Sequence, residues 1–259
     1  MKNVIINIID DSKSQLHFKG EKFSEEIAPL TKVQIDLAFH HGYSSEDIIL
    51  GFNYPFEYKG VKSLVLNQKF IKNGYDNKLF AARQIIEMFP NERFFLHDMD
   101  AFQICETSQL VKFIDWNKYN LPIYCTRKRQ FNNGVMFFDC KLGKYCIDKM
   151  IHLLDGGFAK NEEDASTKLW LDHNSNYFCL DDVMTKINVL DISYNLGIHD
   201  TEYKFAIANK PVKISHFHPI ARGRWIFDMF ANKGCLKINH SIIPDYLCNL
   251  ILKHFDGIL

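Results

Sequence analysis

The sequence predicts an α/β protein in which helices cover the faces of a parallel or mixed sheet. Short apolar runs alternate with helical patterns along most of the chain, which is typical of this class. Most strand candidates are continuous apolar runs rather than alternating ones, as expected where both faces of a sheet are covered. No repeat and no low-complexity linker interrupts the 259 residues. We therefore expect one domain over residues 1–259.

The alternation sets the order of the expected elements. Candidate strands lie at residues 3–9, 47–51, 62–66, 93–97, 122–126, 134–139 and 212–216. Helical patterns lie at residues 31–41, 77–88, 107–114, 141–154, 162–172 and 182–187. A last helix is expected at about residues 244–255, because proline is favoured in a first helical turn and Pro244 stands there.

Composition indicates a soluble protein with no general attraction to nucleic acid or anionic membrane. Basic and acidic residues balance at 31 each, and no apolar stretch approaches the ~20 residues of a membrane span. The apolar first ten residues carry Asn7 and Asp10 and lack a small-residue cleavage site, which favours a buried strand over a signal peptide. The seven cysteines are odd in number and form no C-x-x-C pair, which favours reduced thiols and a cytoplasmic location.

A pair of aspartates, Asp98 and Asp100, follows the apolar run Arg93–His97. Ligands of open α/β sheets gather at the carboxyl ends of strands. Two carboxylates there repel each other unless a cation neutralises them. A hard divalent cation also bridges diphosphate oxygens and stabilises the charge of a departing nucleoside diphosphate. D-x-D alone is a common pattern and also fits a solvated loop, but the apolar residues on both sides favour a site.

Several further motifs occur in a fixed order between about residues 76 and 225. They are N-K-L at 77–79, F-N-N-G-V-M-F-F at 131–138, L-D-D-V-M at 180–184, L-D-I-S-Y-N at 190–195, K-I-S-H-F at 213–217 and R-W at 224–225. In this order the chain resembles GT-A glycosyltransferases, especially the glycogenin-like and galactinol-synthase-like family (family 8), with small viral members the nearer comparison. The resemblance implies a GT-A fold and metal-dependent transfer from a nucleoside-diphosphate sugar, with a UDP-sugar expected, to a hydroxyl acceptor.

The resemblance implies that Asp98 and Asp100 hold Mn²⁺ or Mg²⁺ against the diphosphate, with His216 as the third ligand. His216 ends an apolar strand, and an imidazole nitrogen completes an oxygen-rich site suited to manganese. A lone histidine at a strand end is more often a core or surface residue, but the upstream aspartates and the downstream Arg224 favour the ligand interpretation. His218, two residues farther along a strand, is the fallback ligand.

Three basic residues are candidates for the diphosphate: Lys78, Arg222 and Arg224. Trp225 next to Arg224 favours a site there, whereas a solvated basic turn is an equal alternative for Arg222. Arg83 lies farther along the helix of Lys78 and substitutes for it if the register differs.

Further contacts with the nucleotide-sugar donor are expected at the ends of two predicted strands. Asn133 and Gly134 open an apolar strand, where glycine permits close approach of a sugar and the amide can bind hydroxyls. A simple strand-entry turn is the alternative. Asp10 ends the first strand, where the nucleotide base is expected, with Asp11 and Ser12 as alternatives.

Asp182 is the expected catalytic carboxylate, since it stands at the start of a predicted helix in the D-Q-D position of the family, where many members have glutamine. It would activate the acceptor hydroxyl in an inverting enzyme or steady the transition state in a retaining one. Asp181 is the second candidate, although a helix N-cap is the plainer interpretation of its position.

Two other functions compete with glycosyl transfer. A sugar nucleotidyltransferase also uses paired acids and a metal, but it usually needs a glycine-rich basic loop after the first strand. A non-catalytic module that holds calcium and carbohydrate is the third hypothesis. The acceptor is expected to be a glycan, a protein or a modified nucleic acid; the basic tetrapeptide at residues 127–130 can contact phosphates, although a solvated turn is the simpler interpretation.

Overall fold

A computed structural model describes residues 1–9, 24–71, 76–125, 130–171, 187–197, 204, 206–216 and 243–255 of the protein. Within these ranges helices and strands alternate, which confirms the predicted α/β class. The strands are β1 (Lys2–Asn7), β2 (Ile48–Phe52), β3 (Glu57–Tyr58), β4 (Val61–Val65), β5 (Arg93–His97), β6 (Ala101–Gln103), β7 (Tyr119–Cys125), β8 (Gln130–Phe131), β9 (Val135–Asp139), β10 (Ile187–Leu190), β11 (Leu196–Gly197) and β12 (Ile214–His216). The helices are α1 (Ser24–His40), α2 (Asp76–Met88), α3 (Thr107–Leu110), α4 (Cys140–Asp155), α5 (Glu162–Leu171) and α6 (Asp245–Phe255).

The main sheet is mixed and contains nine of the strands of the described ranges. Their order is β10-β7-β9-β5-β1-β2-β4-β3, and β8 lies beside β7. Strand β1 is parallel to β2 and β5, and β2 is parallel to β4. Strand β9 is antiparallel to both β5 and β7. Strand β5 therefore lies inside the sheet between β1 and β9, and its carboxyl end leads directly into the paired aspartates.

Both faces of the central strands are covered, which explains their continuous apolar sequences. Val4 and Ile5 are adjacent and fully buried, yet they belong to different core clusters because successive side chains of a strand point to opposite faces. The face of Ile5 is covered by α1 and α6, and the face of Val4 by α2, α4 and α5. Burying an aliphatic side chain contributes about 1.5–3 kcal/mol. A charged residue at either position would therefore disrupt one of the two layers.

A second, smaller sheet places His216 at the end of the main sheet. Its order is β11-β12-β6, with β12 antiparallel to β6 and parallel to β11. The register pairs His216 with Ala101, the residue that follows Asp100. Backbone pairing therefore brings together two segments more than a hundred positions apart in sequence.

Most predicted elements that fall in the described ranges are present, and several have bounds that differ from the predicted ones. The strand at residues 93–97 is confirmed without change. Helix α1 begins at Ser24 rather than at residue 31, and Pro29 lies inside it. The predicted helix at 107–114 is the short α3 followed by a 3₁₀ turn, Val111–Phe113. The predicted helix at 182–187 lies outside the described residues except Ile187, which begins strand β10, so that end was wrong.

In the described ranges, every helix is too short or too polar to span a bilayer.

Four cysteines of the described ranges are free thiols: Cys105, Cys140, Cys146 and Cys248. Burial raises the pKa of the Cys105 thiol to about 12, so this cysteine is a structural residue rather than a reactive one.

Candidate active site

The turn after β5 holds Asp98 and Asp100 while burying the residue between them. The backbone N–H of Asp98 donates to the carbonyl of Gly134 at 2.8 Å. Met99 is 6% exposed and packs into the core against α1. From α1, Gln34 Nε2 donates to the carbonyls of Met99 at 2.7 Å and Ala101 at 3.0 Å. The buried Met99 and these hydrogen bonds keep the turn rigid, and the carboxylates remain partly exposed.

His216 lies against both carboxylates. Its Nε2 atom is 3.2 Å from Asp100 Oδ1 and 3.8 Å from Asp98 Oδ2. One ligand atom from each of the three residues lies within 4.8 Å of the others, which makes them a group that can hold a metal ion. The imidazole is 1% exposed, whereas the Asp98 and Asp100 side chains are 32% and 17% exposed. The site is thus buried on the histidine side and open on the aspartate side.

Gly134 makes room for the imidazole. A Cβ atom at this position would lie 2.1 Å from His216 Cε1 and 2.5 Å from Asn132 Oδ1. Such distances are far inside van der Waals contact, so a side chain here would displace the ring. The absence of a side chain at Gly134 therefore lets the histidine reach the carboxylates, and close approach of a sugar to this glycine stays a prediction.

Lys78 reaches the same turn from the first turn of α2. Its Nζ atom lies 2.5 Å from Asp98 Oδ1 and donates to the carbonyl of Asn133 at 2.9 Å. Burial disfavours the charged ammonium, but the carboxylates of Asp98 and Glu162 outweigh this and raise the pKa of Lys78. Lys78 is therefore a permanent positive charge at the edge of the site.

The side chain of Asn133 is bound to α5 rather than left open. Its Nδ2 donates to the carbonyl of Glu162 at 2.8 Å, and its Oδ1 accepts from the Ser166 hydroxyl at 2.6 Å. The residue is 1% exposed. In the structure this amide joins the site to the N-terminal turn of α5, and its contact with sugar hydroxyls stays a prediction.

Two acids at the start of α5 were not predicted from the sequence. Glu162 is 4% exposed, and burial raises its pKa to about 7 although the charge of Lys78 opposes this. Burial also raises the pKa of Glu163, whose Oε1 accepts from Asn132 Nδ2 at 2.6 Å. Acids in a first helical turn are ordinary partners of the helix dipole, so the sequence carries no signal that these face a site.

Arg83 is directed elsewhere. Its Nε lies 3.2 Å from Asp148 Oδ1 on α4 and 3.7 Å from Glu87 Oε1 on its own helix. The structure thus brings together Lys78, Asp98, Asp100, Gly134 and His216, with Asn133 behind them, and places Arg83 in a surface ion-pair group. The other predicted site residues lie outside the described ranges; they are Asp10, Asp181, Asp182, His218, Arg222 and Arg224.

Several solved structures that resemble this one are glycosyltransferases. One is a glycosyltransferase involved in the glycosylation of the major capsid of PBCV-1, with a TM-score of 0.58 and 14% identity over 89% of this chain and 100% of that chain. The galactosyltransferase LgtC, in complex with donor and acceptor sugar analogs, has a TM-score of 0.53 and 12% identity, with both chains fully covered. The chain has the GT-A fold. The glycosyltransferase GlyE of Streptococcus pneumoniae TIGR4 has a TM-score of 0.53 and 13% identity, over 99% of this chain and 63% of GlyE.

No protein-family model and no curated protein matches the sequence. At 12–14% identity the structural likeness establishes the GT-A fold alone. The chemistry of this GT-A chain therefore depends on the residues that it places at the end of β5.

Proposed function

We propose that the protein is a metal-dependent glycosyltransferase that moves a sugar from a nucleoside-diphosphate sugar, with a UDP-sugar expected, to a hydroxyl group. The observation that carries the proposal is the convergence of Asp98, Asp100 and His216 within 4.8 Å at the carboxyl end of β5. Ligands of α/β sheets bind at this end of the strands. The GT-A fold and its glycosyltransferase neighbours support the same assignment.

The donor set fits a transition-metal ion better than calcium. Calcium prefers six to eight oxygen ligands, whereas an imidazole nitrogen beside two carboxylates suits Mn²⁺. Asp98 can serve the cation and Lys78 together, because Oδ1 faces the ammonium and Oδ2 lies on the side of His216. This arrangement gives little support to a calcium-dependent carbohydrate-binding module.

The residues of the site complement a leaving diphosphate. When bound, a divalent cation would neutralise negative charge on the diphosphate. Lys78 adds a second positive charge, held in place by Asp98 and the Asn133 carbonyl before any ligand arrives. Preorganised charge of this kind stabilises the transition state because it needs no reorganisation during the reaction.

The remaining roles are proposed from the resemblance alone. Asp182, with Asp181 as second choice, would act at the acceptor hydroxyl or the reacting carbon. Asp10 would contact the base, and Arg222 and Arg224 the diphosphate. The acceptor is proposed to be a glycan or another hydroxyl-bearing molecule, and the neutral overall charge gives no support to a nucleic acid.

A donor screen tests the proposal. The protein is incubated with a panel of nucleotide sugars with Mn²⁺, with Mg²⁺ or with EDTA, and released nucleoside diphosphate is measured with and without simple sugar acceptors. We expect release from at least one donor with Mn²⁺ and none with EDTA. Asp100→Ala should abolish release, while Asp155→Ala, an exposed acid at the end of α4, should behave like the wild type.

The products separate the competing functions. A nucleotidyltransferase would release pyrophosphate from a nucleoside triphosphate and a sugar phosphate. A binding module would retain a glycan with no release of nucleotide. Activity that persists undiminished in EDTA or in Asp100→Ala would contradict the proposal.

A further inference from the structure

A buried chain of amide groups runs from the backbone of Gly134 to the ring of His216. Asn195 Oδ1 lies 2.6 Å from His216 Nδ1, and the Asn195 amide also contacts Asn132. We propose that Asn195, oriented by Asn132, is a positioning residue that fixes the tautomer of His216 with its proton on Nδ1. This inference rests on the proposed function insofar as the lone pair of Nε2 then serves a metal ion.

The direction of the chain is set at Gly134. The Gly134 backbone N–H donates to Asn132 Oδ1 at 2.7 Å, and a backbone N–H can only donate. At the other end of the same amide, Asn132 Nδ2 lies 2.6 Å from Glu163 Oε1, and an amide N–H donates to a carboxyl oxygen. Both ends therefore agree on one orientation of the Asn132 amide. This matters because the two ends of an amide are assigned from their partners.

Asn132 then orients Asn195. The Nδ2 atom of Asn195 lies 3.3 Å from Asn132 Oδ1 and 3.4 Å from the Asn132 carbonyl oxygen. Both of these atoms are acceptors, so the donating end of Asn195 must face them. A flipped amide would place oxygen against oxygen in a site where Asn195 is 0% exposed and Asn132 is 9% exposed. Such unpaired buried polar groups are costly, commonly about 1–3 kcal/mol each.

Asn195 finally fixes His216. Because its Oδ1 faces the ring at 2.6 Å, Nδ1 must carry a proton and donate. The neutral ring then presents a lone pair at Nε2, directed at Asp100 Oδ1 at 3.2 Å and Asp98 Oδ2 at 3.8 Å. Three acceptor atoms facing one another require a positive charge between them, whether a cation or a second proton. The second partner of a metal-binding histidine commonly fixes its tautomer in this way.

The tautomer can be observed directly in the unmodified protein. We would label the histidines with ¹⁵N, assign His216 by comparison with His216→Gln, and record long-range ¹H–¹⁵N spectra of the metal-free protein at alkaline pH. We expect His216 to be the Nδ1–H tautomer. In Asn195→Leu, which removes the acceptor, we expect the proton to move to Nε2, where Asp100 can accept it. A wild-type His216 protonated on Nε2 alone would overturn the proposal.

Manganese affinity supplies the second readout. Asn195→Leu should weaken Mn²⁺ binding about 10- to 100-fold, the usual loss for a partner of a metal-binding histidine. Asn120→Ala is the control, because Asn120 is equally buried and hydrogen-bonded but lies in β7, outside this chain of contacts. It should lower the melting temperature and leave Mn²⁺ affinity unchanged. Unchanged affinity in a folded Asn195→Leu variant would contradict the proposal.

The outcomes distinguish this inference from the proposed function. Should Asn195→Leu fail to fold, Asn195→Asp keeps an acceptor for Nδ1 and should keep the Nδ1–H tautomer. A wild-type protein that shows the Nδ1–H tautomer but binds no Mn²⁺ supports the positioning role and contradicts the metal-dependent function. A protein that binds Mn²⁺, but whose His216 carries its proton on Nε2 in the metal-free form, contradicts the positioning role and supports the metal-dependent function.

Discussion

Lys78 and Asp98 form an ion pair of 2.5 Å at the point where strand β5 ends. The pair uses one oxygen of the carboxylate and leaves the other on the side of His216. The Lys78 side chain is 14% exposed, so its charge is held close to the aspartates rather than moving freely in solvent. The same carboxylate thus fixes the position of the cationic side chain and belongs, with Asp100 and His216, to the group that can hold a metal ion (the metal group).

Replacing Lys78 should impair the reaction more than the fold. We expect Lys78→Met to lower kcat/KM for the donor by about 10²–10³-fold, the usual loss when one preorganised charge or donor is removed. Lys78→Arg should retain part of the activity. Lys144→Met removes an exposed lysine that pairs with Glu87 and serves as the control. Activity of Lys78→Met within threefold of the wild type would show that the lysine does not contact the diphosphate.

Glu162 should make the metal-free protein less stable as pH rises. Burial raises its folded-state pKa from 4.5 to about 7, so between these values the folded protein binds more protons than the unfolded chain. Its contribution to the free energy of unfolding is present below pH 4.5 and is lost as pH rises to about 7. The full loss is at most about 3 kcal/mol.

Urea unfolding in EDTA measures this effect. The gain in stability of Glu162→Gln over the wild type should be larger at pH 8 than at pH 5. Glu46→Gln, at an exposed position, is the control and should show no such difference. An equal effect of Glu162→Gln at both pH values would show that the folded-state pKa is not raised.

Gly134→Ala should damage the metal group through His216. The added Cβ would lie 2.1 Å from the imidazole and 2.5 Å from Asn132, so the ring must move. We expect Mn²⁺ affinity to fall at least about tenfold, by analogy with other changes that disorient a metal-binding histidine. In Gly156→Ala the new atom meets the ring of Phe158 rather than a residue of the metal group, so Mn²⁺ binding should be unchanged. Normal Mn²⁺ binding by Gly134→Ala would mean that His216 is not a ligand.

An ion cluster around the buried Asp36 joins α1 to α6. Asp36, with a side chain 4% exposed, accepts from Lys59 at 2.6 Å and from Lys253 and His254 at 2.9 Å. Burial raises the pKa of Asp36, but hydrogen bonds from Lys253, Lys59 and His254 outweigh it and lower the pKa from 3.8 to about 2. This stabilisation is present above pH 3.8 and is lost as pH falls towards 2.

Asp36→Asn should therefore destabilise the protein at neutral pH by about 1.5–3 kcal/mol, the range for hydrogen bonds to charged groups. Chemical denaturation at pH 7 and pH 3 checks this, and the difference between variant and wild type should shrink at the lower pH. Glu57→Gln breaks an exposed ion pair with Lys62 on the neighbouring hairpin and should cost less than about 1 kcal/mol. An Asp36→Asn variant as stable as the wild type at pH 7 would contradict the prediction.

The sequence predicts the local features of the site and misses those that depend on tertiary contacts. The apolar run before Asp98 and Asp100 predicts β5 correctly, because a strand covered on both faces has a continuous apolar pattern. His216 was proposed as a ligand, and the structure brings it to the aspartates through the pairing of β12 with β6.

The supporting residues could not be predicted in the same way. Asn195 ends the L-D-I-S-Y-N motif, but the sequence gives it no role, and Glu162 resembles an ordinary polar residue of a helix start. Their roles appear only in the folded chain, where Glu162 contacts Asn133 over a sequence separation of 29 and Asn195 contacts Asn132 over a separation of 63. The hydrogen bonds of the Asn133 amide to α5 could not be predicted either, because they too join residues that are distant in sequence.

The proposed function requires that Asp98, Asp100 and His216 hold a cation against a nucleoside diphosphate. Pulsed electron paramagnetic resonance of Mn²⁺ bound with UDP, and separately with GDP, detects both contacts of the cation in one experiment. We expect one diphosphate to give a phosphorus coupling together with a nitrogen coupling from an imidazole, and we expect His216→Gln to lose the nitrogen coupling alone. A Mn²⁺ spectrum with no nitrogen coupling in the wild type, or with no phosphorus coupling from either nucleotide, would contradict the claim.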